Sequence, residues 1–326
     1  MNLLTGKRVL VTGGACFIGS SICHVLLERG NQVVCLDNFA TGKRENIKDL
    51  KGNPGFKLIE GDIRDPETCH KAVKGVDVVL HQAALGSVPR SIADPATTNA
   101  VNINGFLNML IATRDAGIKR FVYASSSSVY GDSPELPKVE ERTGKVLSPY
   151  AITKLVNEEY ARVFGNLYGM ETIGLRYFNV FGRRQDPNGP YAAVIPKFTM
   201  AFMKYNSPVI NGDGSNSRDF TYIDNVVMAN NLAATVENPA ALNQAYNVAC
   251  GDSVNLNEMT SMLRSYLADK DPKIATVNPL HGPNRAGDIP HSMASIGKAV
   301  RLLGYNPQVL FSEGLKRAVE WYVDNL

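Results

Sequence analysis

The chain has 326 residues, of which 44% are hydrophobic and 20% charged, and its formal net charge is +3. That length and composition suit a globular protein large enough for two lobes. A charge so close to balance argues against nucleic-acid partners and against an anionic membrane surface, and no stretch approaches the ~18 consecutive apolar residues of a membrane span.

The first eight residues place their basic side chains after the leucines and run straight into a strand-like segment, so they do not read as a signal peptide. Five cysteines (Cys16, Cys23, Cys35, Cys69 and Cys250) show no Cys-x-x-Cys pair and no disulfide rhythm. The pattern suits a reducing cytoplasm and argues against a zinc site.

Residues 7–12 form a short β-branched run, residues 17–28 carry apolar side chains at helical spacing, and Gly30 is placed to stop that helix. A second apolar run, 32–36, ends in Asp37, and further strand candidates lie at 56–59, 76–81, 120–124 and 172–175, with helical segments between them. Strands alternating with helices predict an α/β fold, a Rossmann-type doubly wound parallel sheet. Beyond it the texture changes. Residues 183–190 are polar and rich in Pro, Gly and Asn, and later pieces mix short helices with brief extended runs. This predicts a smaller, discontinuous α/β lobe, roughly 181–224 and 250–326, with 225–249 returning to the sheet domain of 1–180.

Between the first strand and helix lies Thr12-Gly13-Gly14-Ala15-Cys16-Phe17-Ile18-Gly19. Glycines here allow a tight turn and close helix–strand packing, and the helix N-terminus offers free N–H groups to a pyrophosphate. Asp37, at the end of the next strand, is placed to accept from an adenosine ribose, and its charge repels a 2′-phosphate, favouring NAD over NADP.

The apolar strand 121–124 runs into Ser125-Ser126-Ser127-Ser128-Val129-Tyr130-Gly131, and Ser148-Pro149-Tyr150-Ala151-Ile152-Thr153-Lys154 follows. A phenol ionises near pH ~10, so a tyrosine base needs a cation and a hydrogen-bond donor beside it. Tyr150 and Lys154 stand four apart on one helix face, and Ser126 can supply the donor. The spacing alone decides nothing: Tyr266 and Lys270 share it without a hydroxyl block before them, and read as a solvated helix end.

The glycine run resembles that of the extended short-chain dehydrogenase/reductase superfamily, Gly-x-x-Gly-x-x-Gly, with Cys16 in place of the middle glycine. Asp37-Asn38-Phe39, Gly61-Asp62-Ile63, His81-Gln82-Ala83-Ala84, the serine block, Tyr150 to Lys154 and Arg176-Tyr177-Phe178-Asn179-Val180-Phe181-Gly182 extend the likeness to nucleotide-sugar 4-epimerases, most like the UDP-N-acetylglucosamine 4-epimerase subgroup. The resemblance implies NAD held by Gly13, Cys16, Phe17, Ile18, Gly19, Asp37, Asn38, Phe39, Thr41, Gly42, Asp62, Ile63, Gln82, Ala83, Ala84, Asn102, Tyr150, Lys154 and Tyr177. Gln82 stands where an apolar residue is more usual. Ser126, Tyr150 and Lys154 match the catalytic positions. A UDP-sugar would be met by Ser87, Ser126, Ser127, Tyr150, Asn179, Val194, Lys197, Asn211, Arg218, Arg285, Asp288 and Ser292.

Two arginines on separate loops, Arg218 and Arg285, can clamp a diphosphate, although such residues are often only solvated; the resemblance assigns them that role, with Asp288 near the uridine ribose. A 4,6-dehydratase of this family carries an Asp-Glu pair before Val-Tyr-Gly and a sugar-acid decarboxylase a glutamate; Ser127-Ser128 stands there instead, which favours simple epimerisation. Ser292 lies where enzymes restricted to plain hexoses have a tyrosine, leaving room for a 2-acetamido group, and Tyr191 to Pro196 also resembles the acetyl-sugar subgroup. UDP-glucose remains an alternative substrate, as does a uronic acid read by Arg90 or Arg183. So does a non-enzymatic dinucleotide sensor, to which only Cys16 points. Residues 100–116 and 150–168 correspond to helices that the family pairs across a dimer's four-helix interface, although their apolar spacing equally suits packing on the sheet.

Overall fold

The structure, a computed structural model, describes residues 3–188, 192–284 and 289–326. Seven strands build the central sheet: β1 (Arg8–Thr12), β2 (Gln32–Asp37), β3 (Phe56–Glu60), β4 (Val78–His81), β5 (Arg120–Ser126), β6 (Glu171–Tyr177) and β7 (Gln244–Val248). Their order is β7-β6-β5-β4-β1-β2-β3, and every pairing is parallel. Both faces are covered, so consecutive residues of one strand are buried together, as with Val9, Leu10 and Val11.

Helices α1 (Phe17–Glu28) and α6 (Ile223–Thr235) pack on one face, and α2 (Pro66–Ala72), α3 (Phe106–Asp115) and α4 (Pro149–Tyr168) on the other. Ser148 caps α4 by accepting the Ala151 N–H at 3.2 Å, Pro149 fills its first turn, and Gly169 ends it in the left-handed region at φ 65°. Further on lie α5 (Val194–Met203), α7 (Leu256–Ala268) and α8 (Phe311–Asn325). Tyr266 packs against the core and Lys270 falls beyond the end of α7, so this pair forms no second site.

The outcome departs from the sequence expectations in two useful ways. β5 runs two residues past Ala124, because Ser125 and Ser126 pair in register with Arg176 and Tyr177. The stretch 100–116 is not one α-helix: Ala100–Gly105 is a π-helical turn that leads into α3, a local widening often found at functional sites.

Short strands carry the remaining segments. Val180–Phe181 pairs with Thr221–Tyr222, Val209–Asn211 with Leu280–Gly282, and Ser217–Arg218 with both Val254–Asn255 and His291–Ser292. The chain leaves β3, on one side of β1, and re-enters the sheet at β4 on the other. The crevice outside the carboxyl ends of β1 and β4 is therefore the place where such sheets take ligands.

Candidate active site

The turn after β1 shows why glycine is required twice. Gly13 has φ 65° and lies so close to the loop after β4 that a Cβ would come within 2.8 Å of the Ala83 backbone. At Gly19 a Cβ would meet the Gly13 carbonyl oxygen at 2.1 Å. Phe17 and Ile18 begin α1 and pack against the core, while Cys16 is the residue before its first turn.

A crevice here is lined by Gly13, Cys16, Asp37, Asn38, Thr41, Asp62, Ile63, Ala83 and Ala84, together with Arg64, Leu85, Thr97 and Val101, which the sequence did not single out. Asp37 closes its floor. Its carboxylate accepts the N–H groups of Ala15 at 2.9 Å and Phe39 at 2.8 Å, Gly42 lies against it, and burial raises its pKa. Asp62 is fixed by Arg64 and by the Asn38 amide at 2.8 Å; the Arg64 guanidinium holds its carboxyl down at about 2. Phe39 adopts φ 57° beneath the Arg44 guanidinium, 4.1 Å from the ring centre.

The Cys16 thiol lies 3.3 Å from the Thr41 hydroxyl and 3.8 Å from the Asp37 carboxylate. Burial first, and then the negative charge of Asp37, push it up to about 12. A thiol is reactive as its thiolate, so burial and Asp37 weaken the one feature that pointed to a redox sensor.

Across β1, at the ends of β5 and β6, the hydroxyl block meets α4. The Ser126 hydroxyl oxygen accepts the Ser128 N–H at 3.1 Å and the side chain is also a hydrogen-bond partner of the half-buried Tyr150 phenol. The Ser128 N–H occupies only one lone pair of that oxygen, so the Ser126 hydroxyl proton is left for donation toward Tyr150. Lys154 is buried; its ammonium donates to the Ala124 carbonyl at 2.7 Å and lies 5.9 Å from the Tyr150 ring centre. Burial lowers Lys154 to about 8, partly offset by Glu158, and raises Tyr150 above its ordinary value despite Ser126. Burial thus works against the ionised phenol, and a positive charge in the crevice would favour it.

The loop after β4 is tied down from several sides. Asn102, on the π turn, accepts the Leu85 N–H at 2.8 Å and donates to the Leu85 carbonyl and the Thr153 hydroxyl, so its amide orders the loop and braces α4. His81, buried and kept neutral with a pKa near 3, shares a 2.9 Å hydrogen bond with Thr12, whose hydroxyl also accepts the Ala83 N–H. Gln82 bonds to Tyr177 and to Asn230 of α6.

The residue positions proposed for a sugar are more scattered. Ser87 caps the short helix Val88–Ala93, accepting the Arg90 N–H at 3.2 Å; Ser127 follows β5; Val194 and the exposed Lys197 lie on α5; Asn211 ends a short strand. Ser292 pairs in register with Arg218. Arg285 and Asp288, with Tyr191 of the quoted run, lie outside the described residues. Asp219 is an organising residue that the sequence reading missed. Fully buried, it accepts the N–H groups of Cys250, Gly251 and Ala294, and its backbone carbonyl accepts from Asn179 at 3.0 Å. Its only sequence signal was its place directly after Arg218.

Residues 9–249 match the model of the NAD dependent epimerase/dehydratase family. The chain belongs to that family. A solved UDP-N-acetylglucosamine 4-epimerase from Methanobrevibacter ruminantium, in complex with UDP-N-acetylmuramic acid, superposes with a TM-score of 0.92 at 38% identity, covering 99% of this chain and 100% of that one. A UDP-glucose 4-epimerase from Thermus thermophilus, solved with NAD, gives 0.85 at 35% identity over 98% and 100% of the two chains. UDP-glucuronate 4-epimerase 4 of Arabidopsis thaliana is 35% identical over 341 residues, 98% of this chain and 76% of that protein.

As a member of the NAD-dependent epimerase/dehydratase family, the protein has a crevice that fits the cofactor on its own evidence. The close packing at Gly13 and Gly19 draws the turn tightly onto the start of α1, whose N-terminal N–H groups suit a pyrophosphate, and Asp37 sets a carboxylate at the end of β2. Among the described residues no cluster of His, Cys, Asp and Glu suits a metal, and no helix is long and apolar enough to cross a membrane.

Proposed function

We propose that the protein inverts C4 of a UDP-hexose and that its preferred pair is UDP-N-acetylglucosamine and UDP-N-acetylgalactosamine. The observation that carries the substrate choice is the pairing of Ser292 with Arg218, which sets a small side chain next to the arginine proposed to hold the diphosphate. A 2-acetamido group needs that room. The Methanobrevibacter relative, solved with an N-acetylated UDP-sugar, supports the same choice.

Tyr150 is the base that takes the proton of the 4-hydroxyl, and Ser126 donates to the same oxygen as charge develops on it. Lys154 braces the end of β5 and keeps an ammonium one helical turn from the phenol. When bound, NAD⁺ would add its positive charge to that of Lys154 and would supply the hydride acceptor and donor that inversion at C4 requires. In this reading residues 1–180 and roughly 225–249 bind the cofactor, while 181–224 and 250–326, including Asn179's neighbour Asp219, hold the nucleotide sugar.

UDP-glucose and UDP-glucuronate are the competing substrates. Against the uronate stands the engagement of the Arg183 guanidinium by Asp224 at 2.8 Å, a carboxylate that Arg317 also approaches at 3.6 Å. On α4, Ile152 and Leu167 are exposed and Val156, Tyr160 and Val163 continue their helical row. This apolar stripe supports a homodimer built through a four-helix interface. Five free cysteines are in keeping with a cytoplasmic enzyme that supplies an acetylated sugar for polysaccharide biosynthesis.

Incubating NAD-loaded protein with UDP-N-acetylglucosamine and following the products by NMR tests the reading. UDP-N-acetylgalactosamine is expected without any added reductant. Unchanged substrate, alongside conversion of UDP-glucose, would remove the substrate choice; no conversion of any UDP-hexose would remove the activity.

A further inference from the structure

Three side chains from distant parts of the chain close a hydrogen-bonded ring behind the ends of the central strands. Gln82, just after β4, donates from Nε2 to the Asn230 Oδ1 on α6 at 3.0 Å. Asn230 donates from Nδ2 to the Tyr177 hydroxyl at 2.8 Å, and Tyr177 donates that hydroxyl proton to Gln82 Oε1 at 3.0 Å. Each group gives one bond and receives one, so the donors run in a single direction round the ring, an arrangement in which bonds polarise one another. Asn230 is fully buried, its remaining N–H is taken by the Val226 carbonyl at 2.8 Å, and Tyr177 is buried as well.

The place of the ring follows from the sheet. The crevice lined by Asp37 and Asp62 lies at β2 and β3, to one side of β1, and Tyr177 is the register partner of Ser126 at the ends of β6 and β5, to the other side. A dinucleotide with its adenosine over Asp37 and its pyrophosphate at Gly13 must lay its other half over β4, β5 and β6. That half meets the Gln82 backbone and Tyr177, the two members of the ring that belong to the sheet edge. The tyrosine hydroxyl is committed to the ring, so Tyr177 takes no part as an acid or base.

Resting on the NAD-dependent reading of this site, we propose that Gln82 and Asn230 are positioning residues for the nicotinamide half of the cofactor. They fix the Tyr177 ring beside Ser126 and draw the loop after β4 onto α6. An apolar side chain at position 82 cannot close the ring: it strands the Asn230 oxygen and the Tyr177 proton in a buried site, where unpaired polar groups are costly.

The discriminating probe is a pair of ligands, NAD and ADP-ribose, which share the adenosine and pyrophosphate and differ by the nicotinamide. Calorimetric titration of the cofactor-free full-length protein should show that Gln82→Met weakens NAD by about tenfold and leaves ADP-ribose within about twofold. Asn230→Leu should do the same, and the double variant should be little worse than either single one, because one ring is lost only once. Tyr177→Phe, which removes only the hydroxyl, provides the same comparison should either amide variant fail to fold. Equal weakening of both ligands, or a lower melting temperature with NAD affinity unchanged, would show a merely structural ring and overturn the proposal. Because no sugar enters the measurement, a selective loss of NAD affinity in a protein that converts no UDP-hexose would sustain this inference while the proposed activity fell.

Discussion

Lys154 donates to the Ala124 carbonyl at 2.7 Å and stands 5.9 Å from the centre of the Tyr150 ring. The ammonium is therefore anchored to the end of β5 and acts on the phenol through space, as a buried charge. Burial is what brings its pKa from 10.5 to about 8.

That shift makes a signed prediction about stability. Below pH 8 the lysine is charged in both the folded and the unfolded chain, and the cost of burying the charge is complete. Between pH 8 and 10.5 the folded state sheds the proton first, so the unfolded state holds more protons and stability rises with pH. In urea melts of the ligand-free protein, the wild type is expected to gain about 2 kcal/mol on Lys154→Met between pH 7 and pH 9.5. Parallel pH profiles for the two proteins would contradict the assignment.

Ser292→Tyr places a bulky ring in register with Arg218. Turnover of UDP-N-acetylglucosamine should fall at least about a hundredfold, while UDP-glucose is still converted, because the clash involves only the acetamido group. Side-by-side kcat/KM values for the two sugars check this, and equal retention of both would end the argument from size.

Cys16 invites the idea of a reactive thiol at the mouth of the cofactor crevice, yet burial and Asp37 hold it near 12. Iodoacetamide at pH 7.5 should leave it unmodified in the cofactor-free protein, as judged by peptide mass spectrometry, since almost no thiolate is present. NAD should bind the wild type, and Cys16→Gly should strengthen that binding by no more than about tenfold. Rapid alkylation, or NAD binding seen only in the glycine variant, would mean that the cysteine compromises the site.

Asp219 gathers the N–H groups of Cys250, Gly251 and Ala294 at 2.9, 3.1 and 3.2 Å. Asp219→Ala strands all three and should cost about 3 kcal/mol or more in urea melts. Because the same carboxylate aligns the strands of Arg218 and Ser292, KM for the UDP-sugar should rise more than kcat falls. An unchanged KM would separate this residue from substrate binding.

The sequence made the parallel sheet legible because its buried strands are unbroken apolar runs, such as Val9 to Val11 and Val33 to Leu36, and because Gly13, Gly19 and Asp37 sit at turns where only certain side chains fit. Tyr150, Lys154 and Ser126 were legible through the hydroxyl block. Other features rest on partners that no local pattern connects. Asn102 on the π turn bonds to Leu85 and Thr153, far off in sequence, and the Gln82 ring needs Tyr177 and Asn230 from two later elements. The helical stretch expected across 100–116 is helical from 100 to 115, but its first turns are π-helical, since apolar spacing does not report a widened turn.

The central claim is that the Tyr150 oxygen removes the proton of a sugar hydroxyl, and Tyr150→Phe tests it most directly. In the NAD-loaded variant, folding and NAD affinity should match the wild type while conversion of UDP-N-acetylglucosamine falls by about three orders of magnitude or more. A phenylalanine variant that still interconverts the two sugars at a comparable rate would contradict the account.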